Sequence, residues 1–211
     1  MASLTSSNKN NTASPHRYWD EVQKRHVVKI QPGEFYVAQG HEIISTTVGS
    51  CIAACLYEPI AGVAGMNHFL LPIKSMCDIN ASQGEIFSNA ARYGNWAMEY
   101  LINEMLKRGS VRENIQAKIY GGCSSFQSER VSIGKKNIMF VLQYLQDEMI
   151  TLAEKDVGGK YPRKVAYHTW DGTVKLIHLK HDFKQANIAE QEQQYLEEIK
   201  HTDTDGDIEL F

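Results

Sequence analysis

Alternation of apolar and polar residues predicts several strands in the first two thirds of the chain. Apolar runs bounded by Gly or Pro lie at EFYVA (34–38), at 51–57 and at MNHFLL (66–71). AKIYGG (117–122) predicts a further strand that runs into a glycine-rich loop. RKVAYHTWDGTVKLIHL (163–179) predicts a hairpin, with Asp-Gly as its tight turn.

Two longer segments have the periodicity of amphipathic helices. From Glu85 to Arg108 apolar residues recur every three or four positions, and Gly109 follows as a normal helix ending. A second series from Ile138 to Leu152 predicts another helix. Strands and helices in this order, without strict β-α-β alternation, predict an α+β fold with a mixed or antiparallel sheet core covered by two helices.

The polarity of the two ends separates them from this central region. We expect a polar, partly disordered extension over residues 1–30, a single domain over 31–180 and an acidic tail over 181–211. The tail carries nine acidic residues against two lysines, and residues 186–200 could form a short polar helix. The tail is interpreted as solvated, or as a docking peptide anchored by the apolar residues of its DIELF ending.

Composition narrows the classes of function. The 211 residues are 43% hydrophobic, and the first fifteen do not resemble a secretory signal. No run approaches the length of a membrane span, so we expect a cytoplasmic protein that is not inserted in a membrane. Outside the acidic tail the chain is mildly basic, and this positive charge is too small to indicate nucleic-acid binding. Cys77 and Cys123 are expected to be free, packed thiols, and no metal site is predicted.

Candidate chemistry lies in TTVGSCIAACLYEP, residues 46–59. On a strand Cys51 and Cys55 share one face. A tight turn at Pro59 would place His68 directly opposite Cys51 and an alanine opposite Cys55, which then remains core filler. A one-residue slip would send His68 to the other face.

A thiol beside an imidazole is the minimum apparatus for acyl transfer, because the imidazole takes the thiol proton and returns it to a leaving group. Because Gly49 and Ser50 are small, a substrate carbonyl could come close to the backbone N–H groups there, which would stabilise its oxyanion. A side chain should also orient the imidazole. The candidates are Ser45, Thr46, Thr47 and Asn67. Simple packing of a Cys and a His remains the alternative.

Several motifs resemble one known family. VGSC (48–51) and GMNHFLLP (65–72) are similar to the nucleophile and histidine segments of the CheD chemoreceptor glutamine deamidases. The resemblance continues through three further segments and covers about residues 33–180. It implies a fold like that of the cytotoxic necrotising factor deamidases, a sheet sandwich flanked by helices. It also implies a catalytic triad with Cys51 as nucleophile and His68 as base. The implied third member is Ser45, at a position where the family usually has threonine, and Thr46 and Thr47 are alternatives.

The resemblance implies a cysteine-dependent protein-glutamine glutaminase of chemotaxis that converts chemoreceptor glutamines to glutamate and can hydrolyse glutamyl methyl esters, without a cofactor. The partners implied are the helical cytoplasmic domains of chemoreceptors and, in some members, a CheC-type phosphatase. Gly121 and Gly122 would form a wall of the substrate groove. Two alternatives stay open: a binding module of the same fold with little turnover, and a general thiol hydrolase of small amides.

Overall fold

The computed structural model of the chain describes residues 15–71, 83–124, 128–180 and 182–202. The strands in these ranges are β1 His16–Asp20, β2 Arg25–Lys29, β3 Phe35–Gln39, β4 Glu42–Val48, β5 Ile52–Glu58, β6 Val63–Phe69, β7 Gln116–Gly121, β8 Thr151–Val157, β9 Arg163–His168 and β10 Val174–His178. The helices are α1 Gln83–Leu106, α2 Ser128–Asp147 and α3 Asp182–Thr202, with a short 3-10 helix at Arg112–Asn114.

Two five-stranded sheets form the centre of the fold. Their strand orders are β1-β2-β4-β9-β10 and β3-β6-β5-β7-β8. Each sheet is mostly antiparallel with one parallel pair, β2 with β4 and β7 with β8. One apolar core lies between the sheets, and a second lies between the β5 sheet and helices α1 and α2. The predicted α+β sandwich flanked by helices is therefore confirmed, whereas the likeness to the toxin fold stays a prediction.

Cys51 and the residues of β5 that follow it alternate between these two cores. Ile52 and Ala54 belong to the core under the helices, whereas Cys51, Ala53 and Cys55 belong to the core between the sheets. All five are essentially inaccessible to solvent. The alternation arises because successive side chains of a strand point to opposite faces. The prediction that the two cysteines share a face is confirmed.

The helix predictions succeed for α1 and fail at the end of α2. Helix α1 ends at Leu106, close to the predicted end at Arg108. Helix α2 ends at Asp147, and Met149 adopts a left-handed φ of 54°. Leu152, expected in the helix, lies instead in β8. The break falls where the chain must turn to enter a strand parallel to β7.

Helix α3 exceeds the predicted 186–200 helix and is not a solvated tail. Ile188, Glu192 and Ile199 are buried, and Tyr195 packs against the core between the sheets. These positions recur every three or four residues, so they form one face of the helix. The DIELF ending and Cys77 lie outside the described residues. No helix in the described ranges is long and apolar enough to cross a membrane.

Candidate active site

The β5–β6 hairpin differs in register from the prediction. Ala53, not Cys51, pairs with His68, because Glu58 pairs with Val63 and the turn has four residues. The Glu58 carboxylate accepts hydrogen bonds from the backbone N–H groups of Ile60 and Ala61, which stabilises this wider turn. The predicted direct opposition of Cys51 and His68 is therefore wrong. The displacement is by two residues, which keeps His68 on the same face of the sheet.

Cys51 and His68 nevertheless lie close together. The Cys51 sulfur, a ring nitrogen of His68 and a carboxylate oxygen of Glu192 all lie within 4.8 Å of one another. Cys51 is fully buried, and His68 is 1% exposed. A thiol and an imidazole at this separation can exchange a proton after small side-chain movements.

Thr46 holds the imidazole of His68. Its hydroxyl oxygen lies 2.8 Å from Nδ1 of His68 and also donates a hydrogen bond of 2.8 Å to the Ile30 carbonyl. Because the single hydroxyl proton goes to Ile30, the Thr46 oxygen acts as acceptor toward His68. We therefore assign the proton of the neutral ring to Nδ1. The other ring nitrogen, Nε2, has no hydrogen-bond partner among the described residues and is left as a proton acceptor.

The contact expected for Ser45 is thus made by Thr46. Residues 44, 46 and 48 of β4 face the second sheet, and Ile44 and Val48 are part of the core there. Ser45 and Thr47 point to the opposite face because side chains alternate along a strand. Asn67, another candidate, donates to the Ala97 carbonyl on the helix side of β6.

Three consecutive backbone N–H groups converge beside Cys51. Gly49 and Cys51 donate to Oε1 of Glu192 at 2.7 and 3.2 Å, and Ser50 donates to Oε2 at 3.0 Å. The Ser50 hydroxyl also donates to Oε2 at 2.7 Å. Gly49 carries no side chain where a Cβ would lie 3.1 Å from the carboxylate oxygens. The loop therefore binds a negatively charged oxygen next to a thiol, as an oxyanion hole does.

Hydrogen bonds from two other segments fix the peptide groups of this loop. The side-chain amide of Asn137 on α2 donates to the Ser50 carbonyl at 2.8 Å and accepts from the Leu71 N–H at 3.0 Å. The N–H of Gly122 donates to the Cys51 carbonyl at 2.8 Å, and that of Cys123 donates to the Gly49 carbonyl at 2.7 Å. With the carbonyls held on one side, the N–H groups of the loop are directed to the other. The sequence analysis missed Asn137, whose only signal is an amide in an apolar helical series.

Gly121 and Gly122 lie against the backbone of this loop. Gly121 has a φ of 120°, a conformation that favours glycine, and a Cβ there would overlap the Cys51 carbonyl. Both glycines are buried. The structure therefore gives them a supporting contact with Cys51, and their predicted place in a substrate groove stays a prediction.

Burial of the site favours the neutral forms of Cys51 and His68. Burial raises the pKa of the Cys51 thiol well above its usual value, and the Glu192 carboxylate raises it further. Burial lowers the pKa of the His68 imidazole to about 4, against an opposing effect of Glu192. Near pH 7, with α3 in place, thiol and imidazole are both uncharged.

Cys51, His68 and Glu192 are also the types of residue that bind zinc. These three side chains could hold such an ion only if Glu192 shared its oxygens with the loop, because both already accept hydrogen bonds. The four donors to Glu192 account for its buried charge without a metal.

Comparison with known proteins places the chain in a family. A family model described as CheD chemotactic sensory transduction matches residues 70–178. Over 200 residues the chain is 42% identical to "Probable chemoreceptor glutamine deamidase CheD" of Hahella chejuensis. The alignment covers 94% of this chain and 91% of that protein. The chain belongs to the CheD family. A CheD relative of Halorhodospira halophila with the same name is 41% identical over 199 residues, 93% of this chain and 89% of that protein.

The similarity to CheD proteins extends beyond the part that the family model matches. "Probable chemoreceptor glutamine deamidase CheD 1" of Shewanella oneidensis is 40% identical over 198 residues, 93% of both chains. The family model match begins just after His68, so it includes neither Cys51 nor His68. These longer alignments span more than nine tenths of the chain.

Proposed function

We propose that the protein is a cysteine-dependent chemoreceptor glutamine deamidase, which converts glutamine side chains of receptor helices to glutamate. The observation that carries this proposal is the convergence of three loop N–H groups on a carboxylate beside Cys51 and His68. A carboxylate is the product of glutamine deamidation. The relatives' names supply the substrate class.

In the first half of the reaction, Nε2 of His68 takes the proton of the Cys51 thiol as sulfur attacks the side-chain carbonyl carbon of glutamine. The oxygen of that carbonyl becomes negatively charged and receives hydrogen bonds from the loop N–H groups. The C–N bond then breaks, His68 returns the proton to the leaving nitrogen, and ammonia departs. A thioester with Cys51 remains.

In the second half, His68 takes a proton from water as its oxygen attacks the thioester carbon. The C–S bond breaks, the thiolate of Cys51 recovers the proton, and glutamate leaves. Thr46 stabilises His68 whenever the ring is charged, since it accepts from Nδ1–H. A glutamyl methyl ester would follow the same path with methanol as leaving group, and we include this esterase activity in the proposal.

A CheC-type phosphatase is part of the proposal as a protein partner. The resemblance implies that such a partner covers the receptor-binding surface, so it should compete with the receptor. Adding the phosphatase should therefore raise the KM for a receptor fragment and leave kcat unchanged.

The test is deamidation of a chemoreceptor cytoplasmic fragment, followed by mass spectrometry of its glutamine-containing peptides. We expect conversion by the unmodified protein and none by Cys51→Ala. Cys55→Ala is the matched control, because Cys55 is buried on the same face of β5 but lies opposite Met66 rather than a base. Equal conversion by Cys51→Ala and the unmodified protein, or none by either, would refute the catalytic assignment.

A further inference from the structure

A side chain of α3, in the same chain, lies beside Cys51 and His68. Glu192 is 6% exposed, although α3 is otherwise rich in exposed acids and amides. Its two oxygens accept hydrogen bonds from the N–H groups of Gly49, Ser50 and Cys51, and one of them lies within 4.8 Å of the Cys51 sulfur. A helix therefore delivers a glutamate side chain into the loop beside the nucleophile.

From this contact we propose that α3 is an intramolecular substrate mimic, which occupies the surface that binds a substrate helix and holds Glu192 where the glutamine to be deamidated would lie. This inference rests on the proposed deamidase function. It identifies the substrate as a glutamine presented on an α-helix. It also makes α3 a competitor of the substrate.

The chemistry of Glu192 supports this assignment. Glutamate and glutamine differ only in the replacement of an oxygen by an NH2 group, so a carboxylate in this loop has the size and shape of both product and substrate. The N–H groups of Gly49 and Cys51 bind one carboxylate oxygen of Glu192, and they can bind the carbonyl oxygen of a glutamine in the same way. Burial, and next to it the Glu192 carboxylate, keeps the pKa of the Cys51 thiol high while α3 is in place.

The contacts on either side of Glu192 define the surface further. Tyr195, three positions later, contacts the Tyr93 hydroxyl and lies so close to Gly33 that a Cβ there would overlap its ring. Ile188, four positions earlier, is also buried. A substrate helix should therefore carry an apolar residue four positions before its glutamine and an aromatic or large apolar residue three positions after it.

The surface continues past α3 along α1. Tyr93, Trp96 and Tyr100 recur at helical spacing, and their rings contact one another in series. Trp96 is 51% exposed and Tyr100 is 44% exposed. Exposed aromatic residues in a row next to a binding groove are typical of a protein contact. A receptor helix that is longer than α3, or a second helix beside it, would cover them.

The tether explains how a product-like helix can hold the site. Strand β10 ends at His178 and α3 begins at Asp182. A link this short gives α3 an effective concentration on the order of millimolar or more, so even a weak mimic stays bound. A receptor substrate must displace it. If about a tenth of the molecules have α3 displaced, the apparent affinity for the receptor is reduced about tenfold.

Glu192→Gln tests the inference directly, because it places a substrate side chain in the mimic. The variant should convert its own Gln at 192 to Glu, at a rate per molecule that does not depend on protein concentration. Water is consumed and ammonia is released, and peptide mass spectrometry locates the change. The double variant Cys51→Ala with Glu192→Gln should keep the amide. Glu190→Gln, on the exposed side of α3, is the matched control and should also keep its amide.

Two further measurements complete the test. Glu192→Ala should deamidate a receptor fragment with a KM about tenfold lower than the unmodified protein, because the mimic has lost its anchor. Trp96→Ala should raise the KM for the receptor fragment but leave self-conversion of Glu192→Gln unchanged.

The outcomes separate the two proposals. If Glu192→Gln keeps its amide while the same protein deamidates the receptor fragment, the mimic is refuted and the deamidase stands. Self-conversion at equal rates in Glu192→Gln and Glu190→Gln would also refute the placement of α3. If neither the receptor nor position 192 is converted by any variant, the deamidase function fails, and the mimic fails with it.

Discussion

Replacing Thr46 by valine should impair the reaction while keeping the shape of the site. Valine has the same outline but cannot accept the hydrogen bond from Nδ1 of His68, which lies 2.8 Å from the Thr46 oxygen. The neutral ring then loses the interaction that keeps its proton on Nδ1. The tautomer with the proton on Nε2 cannot take the thiol proton. The charged ring formed during turnover also loses a stabilising partner.

A hydrogen bond to a group that becomes charged contributes about 1.5–3 kcal/mol. Since about 1.4 kcal/mol changes a rate tenfold, Thr46→Val should lower kcat by about 10- to 160-fold. The acidic limb of the rate profile should move to lower pH, because loss of an acceptor disfavours the charged imidazole and lowers the pKa of His68. Thermal unfolding should show a loss of about 1 kcal/mol, because the Ile30 carbonyl loses its donor.

The assay is deamidation of a receptor fragment, with kcat and KM determined separately across pH. Thr46→Ser keeps the hydroxyl and should retain most of the activity. Ser45→Ala is the decisive control: Ser45 lies on the opposite face of β4, so its loss should leave kcat within about threefold. If Ser45→Ala costs as much as Thr46→Val, or if Thr46→Val has full activity with an unchanged pH profile, the assignment of Thr46 is wrong.

Three further predictions follow from the same network. Asn137→Leu removes the donor to the Ser50 carbonyl and should lower kcat about 10- to 100-fold with little change in KM. The melting temperature of the variant should be measured alongside. An unchanged kcat would contradict the role of Asn137 in holding the loop. Glu192→Ala should speed alkylation of Cys51 by iodoacetamide near pH 7, whereas equal rates would show that α3 does not shield the thiol. Between pH 6.5 and 4 the free energy of unfolding should fall by up to about 3 kcal/mol more in the unmodified protein than in His68→Gln. The reason is that His68 binds a proton in the unfolded chain but not in the native protein, where its pKa is lowered to about 4. Parallel curves of the two proteins against pH would refute this.

The pattern of the sequence, together with the family resemblance, was sufficient to place Cys51 near His68, but not to give their register. Alternation along β5 depends only on the period of a strand, so the shared face could be predicted. The register depends on the turn, where Glu58 satisfies two N–H groups and widens the loop. A register error of two residues keeps each side chain on the same face of the sheet, so Cys51 and His68 still lie on one face.

The choice between Ser45 and Thr46 could not be made in the same way. Both carry a hydroxyl, and they are adjacent on β4, so the answer depends on which face of the strand meets the second sheet. That face is set by pairing with β2 and β9, which the residues of β4 alone do not specify. Packing between sheets decides such a question, and local pattern does not.

Glu192 was the feature most hidden in the sequence. It lies 141 residues from Cys51, in a segment whose charge is typical of a solvated tail. A weak signal was present, because Ile188, Tyr195 and Ile199 share a helical face with it. A charged residue at the centre of an apolar face is costly unless it meets donors, which is what the loop provides.

The hydrogen bonds that hold the loop of residues 49–51 have a consequence for synthesis on the ribosome. Thr46, Cys51 and His68 all emerge early, but the groups that fix the loop carbonyls follow much later, from Cys123 and Asn137. A nascent chain that stops short of α2 holds the thiol and the imidazole without an ordered oxyanion site. Addition of α2 orders the loop, and α3, which follows later in the chain, then places Glu192 against it.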